Sequence, residues 1–389
     1  MKVVGLMSGT SADAVDAALV DWPDPPEVRP FRLLAAHEDP LPDALRERIH
    51  GLAAGRVAGP DVLRETLALD VELAERFAAS VRAVAEAAGV PLEAVDAVAS
   101  HGQTVAHHPE LGGTLQLGAP SVIAERTGLT TVADFRGRDL AAGGEGAPLA
   151  PFFHWAALSD PAEGRLVLNL GGIANVTWLP PGGRPDEVVA FDVGPANALV
   201  DGVVAVHTEG RERMDADGAR ARRGRVDSGL LAQLLDDEFL RRAPPKSTGR
   251  ERYGTAEAEA LAKRAVAEGR GLDDLLATLT VFTAEAVAGA WRDHLEGGAS
   301  LDRVLVAGGG VRNPALMAAL GEAFGACPVE PLDAVGVPPD AAEAMAFSLL
   351  GRNALLGLPN HLPRCTGASG TRVLGVIVPG RPGGPPRAR

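Results

Sequence analysis

The residues that open the chain, Met1-Lys-Val-Val-Gly-Leu-Met-Ser-Gly-Thr-Ser-Ala-Asp-Ala-Val-Asp16, run from an apolar stretch into small hydroxylated residues and two acids. Val3 to Met7 read as a buried strand, Ser8 to Ser11 as a tight turn, and Ala14 to Val20 as a resumed apolar run. Such a turn suits phosphate. Glycine lets the main chain approach an anion, the hydroxyls add donors, and a neighbouring acid can meet magnesium or a sugar hydroxyl. An ordinary hairpin turn accounts for the same residues, so the remainder of the chain has to decide.

An internal echo weighs on that choice. Arg165 to Leu179 repeats the plan of Lys2 to Asp21: an apolar strand, a polar turn of small residues at Asn169, Gly171 and Gly172, and a second apolar strand. Two similar halves would set two such turns facing each other across a cleft. A third cluster, Val304-Leu-Val-Ala-Gly-Gly-Gly-Val-Arg-Asn-Pro314, again follows a strand and precedes a helix. Its N–H groups at Gly309 and Gly310, with Asn313 and the helix dipole, suit a phosphate or a purine-ribose edge. Three such turns at strand ends point to a nucleotide cleft.

The chain has 389 residues, which favours two domains over one core. Its 46% hydrophobic and 23% charged content is that of a globular protein, with a core of Ala, Leu and Val because aromatics supply only 4%. A formal net charge of −14 argues against nucleic acid, since so acidic a surface repels a duplex. The two cysteines, Cys327 and Cys365, form neither a disulfide framework nor a zinc pair, and a reducing cytoplasm fits best. No membrane span or signal-peptide core is read.

Residues 21 to 30 and 36 to 43 read as loops, Ala53 to Ala88 as helix, Ala94 to Ser100 and Gly128 to Ala133 as strands, and Ala141 to Pro148 as a glycine-rich loop. Helical spacing marks Thr255 to Ala267, Leu272 to Glu296, Pro314 to Phe324 and Asp340 to Leu356. The alternation is α/β. Residues 1–150 are expected to form the first domain, with room for returning carboxyl-terminal residues, and 151–379 the second; 380–389 read as a disordered tail. Pro244-Pro-Lys-Ser-Thr-Gly249 lacks the glycines of a Walker motif, and no dinucleotide fingerprint occurs. The class that remains is the two-domain actin-like, hexokinase-like fold.

Nine ordered blocks, from Val4 to about Pro379, carry a more specific likeness: Gly5-Leu-Met-Ser-Gly-Thr-Ser-Ala-Asp-Ala-Val-Asp16, Ser100-His-Gly-Gln-Thr104, Asp134-Phe-Arg136 with Asp139, Ala142-Gly-Gly-Glu-Gly-Ala-Pro148, Asn169-Leu-Gly-Gly-Ile-Ala-Asn175, Phe191-Asp-Val-Gly-Pro-Ala-Asn197, Pro245-Lys-Ser-Thr-Gly249, Gly308-Gly-Gly-Val-Arg-Asn313 and Glu343-Ala-Met-Ala-Phe347. In these the chain resembles the anhydro-N-acetylmuramic acid kinases. The resemblance implies ATP-dependent conversion of 1,6-anhydro-N-acetylmuramic acid to N-acetylmuramic acid 6-phosphate, in cell-wall recycling. Where the family more usually reads Ser-Leu-Asp-Gly-Val-Asp this chain has Ala12 and Ala14, and Glu145, Val193 and Ala196 stand for Gln, Thr and Gly.

By the same resemblance Asp192 is the base that takes a proton from water attacking the anomeric carbon, while the freed O6 attacks the γ-phosphate. Gly9, Thr10, Ser11, Ala12, Asp13, Ala14, Val15, Asp16, Asn169, Gly171, Gly172, Gly309, Gly310 and Asn313 are assigned to ATP. Magnesium is expected only with ATP, held through water by Asp13 or Asp16. His101, Gln103, Thr104, Arg136, Asp139 and Glu343 are assigned to the amino sugar, Arg136 gripping its lactyl carboxylate. Arg136 and Asp139 could instead form a salt bridge, and Asp340-Ala-Ala-Glu343 also fits a helix capping box. His101, His107 and His108 lack an acid or Cys to complete a ligand set, so the protein is expected to hold no metal of its own. A homodimer is compatible with this reading. The competing readings are a sugar kinase that phosphorylates a simple hydroxyl, and an actin-like ATPase that switches an interaction surface.

Overall fold

The computed structural model describes residues 1–297 and 299–381. The expected tail lies outside the described residues from 382 onward, whereas the N–H groups of Gly380 and Arg381 donate to Thr130 and Gly128. Among the described residues twelve strands are formed: β1 (Lys2–Ser8), β2 (Ala14–Asp21), β3 (Arg32–Pro40), β4 (Ala97–His108), β5 (Gly113–Leu117), β6 (Thr131–Ala133), β7 (Arg165–Leu170), β8 (Ile173–Leu179), β9 (Val189–Pro195), β10 (Arg303–Ala307), β11 (Val329–Pro331) and β12 (Val376–Val378).

Residues 1–158 and those from Ala341 onward make one compact unit, and Ser159–Asp340 the other. The first sheet has the order β12-β6-β4-β1-β2-β3, with β5 on β4; the second has the order β11-β10-β7-β8-β9. Each contains an antiparallel meander, β1-β2-β3 or β7-β8-β9, whose first strand is joined in parallel by a later one, β4 or β10. The echo in sequence is therefore an echo in topology, the repeated α/β plan of the actin-like, hexokinase-like class.

The expected second domain, 151–379, left room for carboxyl-terminal residues to return to the first, and 341–379 do complete the first unit. The helix Ala342–Leu355 lies on β1 so closely that a Cβ at Gly5 would stand 1.8 Å from the Ala344 carbonyl oxygen, and one at Gly351 2.3 Å from the Ala99 Cβ. Only glycine permits that approach. Ser348 then donates to the Val3 carbonyl and accepts from the Trp22 indole, each at 2.9 Å, and β12 pairs with β6.

Two expectations need correction. Residues 36–43, read as loop, largely belong to β3, an edge strand whose exposed face carries Glu38 among alternating burial, so that its charges hide its strand character. The helix expected from 53 to 88 begins only at Asp61 and runs to Ala87; a separate helix, Asp43–Ala53, ends where it was expected to start, and Gly55 and Gly59 turn to positive φ between them, ahead of Pro60. Leu6, Leu19, Phe77, Val81 and Val98 centre one core; Leu168, Trp178, Phe191, Phe282 and Trp291 centre the other. Among the described residues no helix is long and apolar enough to cross a membrane.

Candidate active site

In the first unit β1 and β2 form the expected hairpin, and its turn is braced from several sides. Ala12 donates its N–H to the Gly9 carbonyl at 3.0 Å and is buried at φ 53°, a left-handed conformation that costs a Cβ-bearing residue about 1 kcal/mol. Beneath lies Gln103, fully buried on β4. Its Oε1 is 2.7 Å from the Ser8 hydroxyl, and its Nε2 donates to the carbonyls of Gly9 at 3.0 Å and Thr104 at 3.3 Å. The Ser8 hydroxyl shares its proton between Gln103 and the Ala14 carbonyl. Gln103 thus meets the β1-β2 turn rather than open space, and Thr104 accepts from Gln116 at 3.2 Å. His50 Nε2 lies 2.9 Å from the Ser11 carbonyl, and Arg46 pairs with Asp13 at 3.0 Å.

Arg136 sits at the centre of a second cluster in this unit. Its Nε donates to His101 Nε2 at 2.9 Å and its Nη1 to the Gly146 carbonyl at 2.7 Å. The other nitrogen of His101 is 2.8 Å from the Gly102 carbonyl, so Nδ1 carries the proton and the ring is neutral. Burial pushes its pKa well below the ordinary value, and the Arg136 charge acts the same way. Burial also lowers Arg136 itself to about 10, with Glu343 and Asp139 opposing. Glu343, at the start of the helix Ala342–Leu355, is exposed as a residue, yet its carboxyl loses enough hydration for its pKa to rise, Arg136 working against the rise.

Asp139 stands one layer behind. It is fully buried, accepting from the Gly146 N–H at 2.8 Å and the Thr366 hydroxyl at 2.7 Å, with a poorly aligned contact of 2.7 Å to His361 Nδ1. Burial alone would raise its pKa, but these bonds outweigh it and hold the carboxyl low. The structure therefore seats Asp139 beneath the glycine-rich loop whose Gly146 meets Arg136. The expected capping box does not form. The residue before the helix is Ala341, which makes no side-chain cap, and Asp340 pairs instead with Arg312 at 2.7 Å.

In the second unit the meander aligns three polar residues. Asn169 on β7 faces Asn175 on β8, which faces Asp192 on β9. The register shifts between Ala174 and Asn175, a break of the kind that re-aims side chains. Asp192 lies within β9. Its N–H donates to the Lys246 carbonyl at 3.2 Å, and its Oδ2 accepts the Thr248 N–H at 3.0 Å. The Gly171-Gly172 turn is gripped by the main chain that follows β9: Asn197 and Ala198 donate N–H groups to the carbonyls of Gly171 and Gly172, at 3.1 Å each, and Asn197 Nδ2 reaches Gly171 at 2.9 Å.

The third glycine cluster packs on the same turn. A Cβ at Gly308 would lie 2.5 Å from Asn169 Oδ1, and one at Gly310 2.5 Å from the Leu170 side chain. Asn313 caps the helix Pro314–Phe324, its Oδ1 accepting from Ala315 at 3.0 Å and Leu316 at 3.2 Å. Its carboxamide oxygen is thereby committed to the helix end.

The family model for anhydro-N-acetylmuramic acid kinase matches residues 1–380. The chain belongs to that family. It is 43% identical over 387 residues to the anhydro-N-acetylmuramic acid kinase of Salinibacter ruber, with 97% of this chain and 96% of that protein covered. To that of Streptomyces coelicolor it is 46% identical over 386 residues, covering 98% and 94%. A likeness to the ROK hexokinase of Thermus thermophilus, at TM-score 0.37 and 17% identity over 90% of this chain and all of that one, is too faint to weigh beside these. As a family member the protein is a kinase.

Four residues of these clusters carry no role in the sequence reading. Asn175, Asn197, Lys246 and Thr248 all lie inside the blocks that carry the family likeness, and only the register and main-chain bonds show what they hold. His361 belongs to no block, and nothing in its neighbourhood of sequence marks it.

Proposed function

We propose that the protein couples hydrolytic opening of 1,6-anhydro-N-acetylmuramic acid to phosphorylation of the O6 so released, using ATP, in the recycling of cell-wall amino sugars. The observation that carries this reading is the carboxylate of Asp192, fixed by the Thr248 N–H at the end of an aligned polar row. In this scheme Asp192 accepts a proton from water as the water oxygen bonds to the anomeric carbon. The bond from that carbon to O6 breaks, O6 bonds to the γ-phosphorus, and the bond from phosphorus to the β,γ-bridging oxygen breaks to leave ADP. The acceptor phosphorus does for O6 what a general acid does in a glycosidase.

Arg136 is the partner for the lactyl carboxylate. Its guanidinium is held by a neutral ring and a carbonyl, so its charge is not cancelled by a hydrogen-bonded acid at those two contacts. The turns at Gly9 to Asp13 and Gly171-Gly172, with the loop at Gly309 and Gly310, are assigned to the phosphates and nucleoside of ATP. Oxygen donors on Asp13 and Asp16 suit the magnesium that accompanies ATP, met through water, since Asp13 already pairs with Arg46.

Mass spectrometry after brief incubation with ATP, magnesium and the anhydro sugar in heavy-oxygen water, quenched before anomeric exchange, tests the scheme. The expected product carries one phosphate and one heavy oxygen. Phosphate without heavy oxygen would identify a kinase for a simple hydroxyl, and ATP consumption with unchanged sugar would leave only an ATPase.

A further inference from the structure

Of the segment Pro245-Lys-Ser-Thr-Gly249 the scheme above uses only the Thr248 N–H, although Asp192 is bonded to it a second time, through its own N–H to the Lys246 carbonyl. Lys246 anchors the segment. Only 6% exposed, it donates from Nζ to the carbonyls of Phe239 at 3.1 Å and Leu240 at 2.9 Å. The same ammonium lies 4.9 Å from the Phe239 ring centre and 5.6 Å from that of Phe191, the residue before Asp192. The receiving turn is itself fastened: Asp237 accepts from the Phe239 N–H at 2.8 Å and from the Tyr253 hydroxyl at 2.7 Å, and it pairs with Arg252. A purely structural plug here would be better made of hydrocarbon, because burying an ammonium among carbonyls and rings sacrifices hydration.

We propose that Lys246 is a positioning residue for the reaction: its buried ammonium fixes the segment through Thr248, so that the Thr248 N–H keeps the Asp192 carboxylate ionised and aimed. This rests on the assignment of Asp192 as the base. The charged groups that act on Lys246 are Arg242, which opposes its charge, and Asp237, Asp293 and Asp192, which favour it; Arg252 and His294 face the same two aromatic rings. Burial, chiefly, brings the ammonium down to about 8, so it remains charged at neutral pH.

The test compares Lys246→Met, Lys246→Arg and Asp192→Asn as full-length proteins with ATP and 1,6-anhydro-N-acetylmuramic acid. Lys246→Met is expected to lower kcat about 10- to 100-fold, with both KM values within about two-fold. The acid limb of its kcat–pH profile should move up by roughly one unit, because losing a cation and an N–H donor favours the protonated carboxyl. Lys246→Arg should recover most of the rate and return the limb toward its original position. An unmoved limb in Lys246→Met overturns the proposal, whether kcat is intact or has merely fallen without rescue by arginine. An inactive Asp192→Asn alongside that result leaves the base assignment standing, whereas an active Asp192→Asn removes both. If Lys246→Met does not fold, Phe239→Leu takes its place; a several-fold loss with the limb displaced the same way supports the clamp, and an unchanged profile overturns it.

Discussion

The two meanders offer a comparison within one chain. Across β1-β2-β3 the paired row next to the first turn is Met7, Asp16 and Glu38; across β7-β8-β9 the polar row, one pair back from the second turn, is Asn169, Asn175 and Asp192. The backbone plan is shared, but the acid on the third strand meets two different settings. Glu38 is exposed on an edge strand, whereas Asp192 is half-buried, with its main chain and carboxylate both bonded to the segment at Lys246 to Thr248. A repeated scaffold thus supplies two similar places for a carboxylate, and only the second is surrounded by what a base needs to hold one orientation.

The sharpest way to break that comparison is to neutralise both acids in turn. Asp192→Asn is expected to lower kcat by roughly three orders of magnitude or more while nucleotide affinity stays nearly unchanged, and Glu38→Gln to leave kcat within about two-fold. Steady-state kinetics and nucleotide titration read both. Comparable losses would mean that the edge-strand acid shares the chemistry, and unimpaired turnover in Asp192→Asn would sink the base assignment.

The turns differ as well. The first is braced by a side chain reaching in from β4, Gln103; the second by main-chain N–H groups, with Asn197 adding its carboxamide. Side-chain bracing is lost on truncation, whereas main-chain bracing largely survives it. Gln103→Ala, which leaves the Ser8 hydroxyl and the Gly9 carbonyl short of a partner, should cost about 2 kcal/mol of stability. It should also raise the KM for ATP about ten-fold if the turn meets phosphate. Asn197→Ala should cost less, about 1 kcal/mol, since the Ala198 N–H and its own still hold the turn. Thermal melts with parallel ATP titrations check the order. The reverse order would show that the carboxamide of Asn197, and not the helix start, fixes the second turn.

How much of this was legible follows the same division. The hairpins, the glycine turns and the α/β alternation were readable because apolar period and glycine placement report local geometry: Thr255–Ala267 and Pro314–Phe324 appear where the spacing puts them. What the pattern could not carry was long-range. The return of Ala342–Leu355 to β1 depends on Gly5 and Gly351 as contact surfaces, although neither glycine looks different in sequence from a turn glycine. Asp139 and Gln103 were assigned to the amino sugar, and the sequence could not show that both are fully buried, Gln103 bonded to the first turn and Asp139 to Gly146 and Thr366. The edge strand β3 escaped notice because its polar face imitates a loop.

The smallest expected effect concerns proton linkage in the first cluster. His101 is buried and neutral, with a folded pKa well below its ordinary value, so below about 6.5 the unfolded chain binds a proton that the folded chain refuses. The sign follows directly. The stability this histidine contributes is present in full above the unfolded value and is lost as the pH falls below it, because acid pulls the equilibrium toward the protonated, unfolded form. The melting temperature should therefore decline on acidification from pH 7 toward 5, and the slope should be shallower in His101→Gln. That flattening is partial, since His154, also buried and lowered to about 4, contributes with the same sign. The effect belongs to the first unit and, if the proposed base Asp192 in the second sets the acid limb of turnover, should leave that limb where it was. A turnover limb displaced together with the melting curve would mean that the Arg136 cluster and the Asp192 carboxylate titrate as one system, and the contrast between the two meanders would have to be drawn elsewhere.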